Sequence, residues 1–122
     1  MCGISGIVNT DGSVVSKNEI EQMNELISHR GPDGEGYYCY KNLALGHKRL
    51  SIIDLSERGK QPMHYLDELV ITYNGEIYNY IELKDELKIK GYEFFSNSDT
   101  EVILASYHCW GQKCVEFFNG MW

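Results

Sequence analysis

Apolar and polar positions follow two rhythms along this chain, a short alternating one and a helical one. The stretch "CGISGIVN" mixes β-branched with small residues and predicts a strand, its glycines permitting close backbone approach. After a turn at "TDGS" the period changes. In "SKNEIEQMNELISHRGP", Ser16 stands as a helix N-cap with Glu19 three residues on, Ile20, Met23 and Ile27 share one face, and Gly31 and Pro32 close the helix. "GEGYYCYKNLALGHKRLSIID" predicts strands joined by a tight turn at Lys41-Asn42, "LSERGKQPMHYLDE" a polar loop, and "LVITYNG" a strand ending at Asn74-Gly75. A second helix is expected in "NYIELKDELKIKGYEFF", with Asn79 and Glu82 as capping box and Gly91 as stop. "SDTEVILASYHCWG" repeats that logic with Ser98, Glu101 and Gly111, and "QKCVEFF" adds a short helix.

Helices lying between strands imply an α+β chain with a mostly antiparallel sheet and no internal repeats. Its 122 residues are enough for one domain with a working core. A net charge of −7 argues against a nucleic-acid partner, which would require clustered Lys and Arg. No apolar run is long enough for a membrane span and the first residues lack signal-peptide character, so the expected location is cytoplasmic. There Cys2, Cys39, Cys109 and Cys114 should be reduced thiols. Cys109 and Cys114 beside His108 suggest zinc, but no second close pair completes a four-ligand set, and no metal is expected. The final "FFNGMW" places two large apolar residues after a turn-forming Asn119-Gly120, which points to a fragment or to continuation in a longer protein.

Five residues carry candidate chemistry. Cys2 is either a small apolar residue starting a strand or, with Met1 removed, a thiol carrying its own α-amine as general base. The pairing suits neutral pH, since a free thiol titrates at about 8.5 and an α-amine at about 7.7 to 8.0. Asn74-Gly75 is either a hairpin turn or a pair of donors for an oxyanion; the helical "EIYNYIELKDELK" that follows provides no returning strand. Arg49 sits between apolar stretches, where an unpaired guanidinium is costly, and its fork suits a carboxylate. Asp99 reads first as a helix-start residue that caps or complements the helix dipole, and second as an acceptor for an ammonium.

Together "MCGISGIVN", "HRGPDGEG", "GHKRLSIIDLSERGKQPM", "YNGEIYNYIELKDEL" and "SDTEVILASYHCWG" resemble the N-terminal glutaminase domain of glutamine-hydrolysing asparagine synthetases, class II glutamine amidotransferases. The resemblance runs in order along almost all of residues 1–122. It implies the N-terminal-nucleophile hydrolase fold, an αββα sandwich of two mainly antiparallel sheets. It further implies Cys2 as nucleophile after loss of Met1, Asn74 and Gly75 as oxyanion hole, and Arg49 on the α-carboxylate of L-glutamine. Leu50, Ser51, Ile52 and Ile53 line the same wall, and Glu76 and Asp99 hold the α-ammonium. Glutamine is then cleaved through a thioester to glutamate and ammonia. In the full enzyme a C-terminal domain using ATP and Mg would convert aspartate to asparagine with that ammonia; the glutaminase domain itself needs no cofactor.

That synthetase domain is absent from these residues, and the match implies that even the glutaminase domain is cut short at its C-terminal end. Unpaired sheet edges are then expected to favour homo-oligomers or instability, with weak glutaminase activity or none and no asparagine formed. Two rival readings remain: the amidotransferase module of an enzyme with another ammonia acceptor, and an inactive glutaminase-like fragment.

Overall fold

Lys41, at φ 52°, adopts the left-handed backbone that reverses the chain within two residues. In the computed structural model, which describes residues 1–52 and 54–122, this turn joins β2 (Gly34–Tyr40) to β3 (Leu43–Arg49). The two pair antiparallel, with Tyr40 opposite Leu43 and Gly34 opposite Arg49. Strand β1 (Gly3–Val8) lies antiparallel along the other side of β3, Gly3 facing Lys48 and Val8 facing Leu43, so the order is β1-β3-β2.

Helix α1 (Lys17–Leu26) covers one face of this sheet, and Ser16 with Glu19 forms the expected reciprocal cap. Ile20 packs with Val15 and Ala44, flanked by Ile7 and Tyr37. Met23, expected on the buried face, is instead 40% exposed, and Asn24 takes its place. The reason is a hydrogen-bond requirement that periodicity does not record. The Asn24 amide donates to the His47 carbonyl at 3.1 Å and accepts from the Ser5 hydroxyl at 3.1 Å, satisfying groups that apolar packing would leave orphaned.

The second half holds a short antiparallel pair, β4 (Met63–Tyr65) and β5 (Leu69–Ile71), and a smaller one, β6 (Glu76–Ile77) with β7 (Gly120–Met121). Helices α2 (Tyr80–Ile89) and α3 (Asp99–Trp110) pack against each other, and α3 packs also against β4 and β5. Their shared core is Met63, Tyr65, Ile77, Leu83, Leu87, Val102, Leu104 and Ala105. Each large side chain buried there contributes about 1.5–3 kcal/mol. Among the described residues no helix is long and apolar enough to cross a membrane.

Two expected strands are shorter than their hydrophobic runs. β3 stops at Arg49, because the Leu50 N–H turns to the Cys2 thiol and the Ser51 N–H to Asp33, leaving the ladder. The strand expected through Gly75 stops at Ile71: Thr72 directs its hydroxyl to the Gly46 carbonyl, and the Tyr73 N–H donates to the Gln61 side chain. The loop expected over residues 55–68 contains β4 and a 3-10 turn at Glu57–Gly59.

The capping box expected at Asn79 does not form. Its amide donates to the Phe117 carbonyl at 2.9 Å and its oxygen accepts from the Asn119 N–H at 2.9 Å, tying the start of α2 to the segment before β7. At α3, Ser98 caps the helix through the Thr100 N–H. Glu101 reaches past that cap. Fully buried, it accepts from the N–H groups of Phe95 and Ser96, both at 2.8 Å, and from the Ser96 hydroxyl at 2.6 Å.

Three donors, two of them buried, depend on that one carboxyl group. Glu101→Ala should therefore lower the free energy of unfolding in urea by about 3 kcal/mol. A loss below about 1 kcal/mol would show that the 94–98 segment is held by other contacts.

Candidate active site

The end of β3 and the first residue of β1 meet because of register. With Gly3 opposite Lys48, the preceding Cys2 reaches the backbone that leaves β3. Its Sγ lies 3.3 Å from the Leu50 nitrogen, whose N–H donates to it, and 3.5 Å from the Leu50 carbonyl oxygen. The Cys2 carbonyl is held in turn by the Arg30 side chain, whose Nε donates at 3.2 Å. The thiol is half-buried at the edge of a cleft.

That cleft, a space of about 120 Å³, opens where the two halves of the molecule join. Cys2, Arg49, Leu50, Ser51 and Ile52 line it from the first half, and Asn74, Gly75, Glu76 and Asp99 from the second. The described site residues expected from the sequence are thus brought to one place. Ile53 lies outside the described residues.

Arg49, 9% exposed, is fixed before any ligand arrives. One guanidinium nitrogen donates to the Ser56 carbonyl at 2.8 Å and the other to the Asp54 carbonyl. A Cβ at Gly59 would overlap the guanidinium, so a larger residue there would have to displace it. The loop offering those carbonyls is organised by the Asp54 carboxylate. It accepts from the Ser56 N–H at 2.8 Å, the Ser56 hydroxyl at 2.6 Å and the Asn97 N–H at 2.9 Å. The Ser56 hydroxyl is the main cause that holds Asp54 below the ordinary carboxylate range. Of the five N–H donors of a guanidinium, three remain for other acceptors.

Asn74 and Gly75 lie between the end of β5 and β6, in irregular backbone and not in a hairpin. Gly75 is pressed from two sides: a Cβ would overlap both the Tyr73 hydroxyl and the Met121 carbonyl of β7. Two residues on, the Ile77 N–H donates to Asp99 Oδ2 at 2.9 Å. Asp99 is therefore the first residue of α3, beyond the Ser98 cap, and a brace for β6. Burial pushes its carboxyl above the ordinary range, opposed by the bond from Ile77.

Several contributors were not visible as site residues in the sequence. Arg30 and Asp33 belong to "HRGPDG", which the helix-stop reading of Gly31-Pro32 passed over; Asp54 with Ser56 is an Asx-type turn in "DLSE". Gln61 carries no local signal, because it binds the Tyr73 N–H and the Thr100 hydroxyl, 12 and 39 residues away, and Tyr73 reads as an ordinary strand residue. Cys109 and Cys114 take no part in the cleft, and His108 bonds to the Tyr92 hydroxyl at 2.9 Å.

A thiol, a cationic fork, two acidic side chains and irregular backbone with an amide side chain in one cleft suit a zwitterionic amide. Residues 1–122 match the model of a family described as "Glutamine amidotransferase domain", and the chain belongs to that family. Within it, the chain is 46% identical over 125 residues to asparagine synthetase [glutamine-hydrolyzing] 1 of Bacillus subtilis, covering 99% of this chain and 20% of that protein. It is 40% identical over 123 residues to the asparagine synthetase [glutamine-hydrolyzing] of Zea mays, again over 99% of this chain and 20% of the relative. It is 35% identical over 132 residues to the amidase chyE of Penicillium rubens, covering 98% of this chain and 20% of that protein. The chain thus spans about a fifth of the length of these relatives.

His47 lines the same cleft as a residue only 1% exposed, and burial lowers its pKa from 6.5 to about 4, with the Arg49 charge acting in the same direction. Between those values the unfolded chain binds the proton and the folded one does not. The stability due to neutral His47 is therefore complete above about pH 6.5 and is lost as pH falls towards 4, in total about 3 kcal/mol. Asp99, with its raised pKa, works in the opposite sense. Urea melts of wild type and His47→Gln at about pH 7.5 and about pH 4.5 isolate the difference. The wild type should lose more stability across that interval; equal losses would mean that His47 titrates normally.

Proposed function

We propose that this chain is the glutaminase part of a glutamine-dependent asparagine synthetase, cleaving L-glutamine to glutamate and ammonia. The observation that carries the reading is that Cys2, Arg49, Asn74, Gly75, Glu76 and Asp99, drawn from both ends of the sequence, line one cleft. In this reading the β1-β3-β2 sheet with α1 on its face is one α-β half of an αββα sandwich, and strands of the second half form its other sheet.

Removal of Met1 frees the Cys2 α-amine, which takes the thiol proton. The thiolate then attacks the glutamine side-chain carbonyl carbon. The oxygen that gains charge is met by the Asn74 side-chain amide and the Gly75 N–H; one such donor is worth about 2.7–4 kcal/mol of barrier. Ammonia leaves after receiving the proton held by the Cys2 α-ammonium, and water cleaves the resulting thioester, returning Cys2. Arg49 holds the α-carboxylate with its unused donors, Leu50, Ser51 and Ile52 line the wall beside it, and Glu76 and Asp99 take the α-ammonium. Glu76 is exposed and Asp99 buried, so Asp99 offers the drier and stronger contact.

The ammonia is used elsewhere. The names of the Bacillus and Zea mays relatives, glutamine-hydrolysing asparagine synthetases, favour asparagine formation as that use, which an ATP- and Mg-dependent domain acting on aspartate would supply.

Treating the purified protein with a glutamine-mimicking electrophile tests the assignment. Mass spectrometry should find the adduct on Cys2 of molecules lacking Met1, with none on Cys2→Ala. Comparable labelling of Cys39, Cys109 and Cys114 would contradict it.

A further inference from the structure

Tyr73 has a position that the mechanism above leaves unused. Its ring packs against the larger core and its backbone N–H is fixed by Gln61 at 2.6 Å, so both ring and backbone are held. Its hydroxyl is buried and has no hydrogen-bond partner among the described residues. That same oxygen sits against the α-carbon of Gly75, close enough that a Cβ there would collide with it. The residue lines the cleft together with Cys2, Asn74 and Gly75.

Deepening the glutaminase reading, on which this rests, we propose that the Tyr73 hydroxyl is a third donor to the oxygen that becomes negative when Cys2 attacks the amide. A buried O–H lacking a protein acceptor is a poor contributor to the resting fold, and buried polar groups are rarely left so. It gains its acceptor when charge develops beside Gly75. The ring is held by the core and the backbone by Gln61, so only the enclosed hydroxyl has to be uncovered for the donor to act, which keeps its ordering cost small. It also remains a donor throughout the working range. Burial, reinforced by Asp99 and Glu76, pushes the phenol well above its ordinary range, so it stays protonated. The chemistry favours the oxyanion over the ground-state amide, because a donor is strengthened by full charge on its acceptor.

Tyr73→Phe removes only the hydroxyl and keeps the ring in the core. In glutamine hydrolysis the variant should lose about 10- to 100-fold in kcat with KM within about threefold of wild type. Its melting midpoint should be no lower than wild type, since no protein hydrogen bond is lost. A second measurement does not require turnover. The aldehyde analogue of glutamine, with –CHO replacing the side-chain amide, forms a thiohemiacetal: a bond forms between Cys2 Sγ and the aldehyde carbon while the thiol proton passes to the oxygen. Tyr73→Phe should weaken this adduct about tenfold or more while glutamate binds as in wild type. An unchanged kcat with unchanged aldehyde affinity would overturn the proposal, leaving Tyr73 a packing residue. So would a raised KM with unchanged kcat, which would mark a ground-state contact. A wild-type protein that neither hydrolyses glutamine nor forms the adduct at Cys2 would remove the glutaminase reading itself, and the third donor with it.

Discussion

The placement of Gly3 opposite Lys48 fixes everything that follows at the cleft. Cross-strand pairing has a period of two, so a slip of one residue would turn every β1 side chain to the other face. In the observed register Cys2 runs off the end of β1 beside Leu50, just where β3 releases its own backbone. The departure of β3 from the ladder after Arg49 is as important as the pairing before it. A continued strand would have satisfied the Leu50 N–H across the sheet, and the thiol would have had no fixed partner.

The second half of the molecule supplies the opposing parts by a different device. No long sheet reaches the cleft from that side; irregular backbone is clamped there. Gly75 is pressed between the Tyr73 hydroxyl and the Met121 carbonyl, and Ile77 is pinned by Asp99. The few residues of β7 therefore support a backbone position almost fifty residues earlier, and the tie between Asn79 and the Phe117–Asn119 segment holds them there. Arg49 is immobilised in the same spirit, by carbonyls that Asp54 arranges. Preorganisation of this kind lets a small cleft hold donors and charges without ordering them at each turnover.

The helices, the β2-β3 hairpin and the capped start of α1 were legible in the sequence because local patterns determine them. Cys2, Arg49, Asn74, Gly75 and Asp99 stood out because their residue types are expensive or unusual where they occur, and the resemblance to amidotransferases placed them together. What local pattern could not reveal were decisions made by distant partners. Asn24 displaces Met23 from the helix face because a strand carbonyl requires a donor, and Asn79 abandons its cap for Phe117 and Asn119. Glu101, read as part of a cap, is a buried organiser of the preceding loop. Tyr73 read as one more strand residue, yet the strand ends before it.

The central claim is that Cys2 becomes a nucleophile only when its own nitrogen is a free amine. The most direct measurement compares two preparations that differ only in whether Met1 is retained, following the rate at which a glutamine-mimicking electrophile modifies Cys2. Retention locks the nitrogen in a peptide bond and removes the base, so labelling should slow by about 100-fold or more. Equal rates in the two preparations would contradict it.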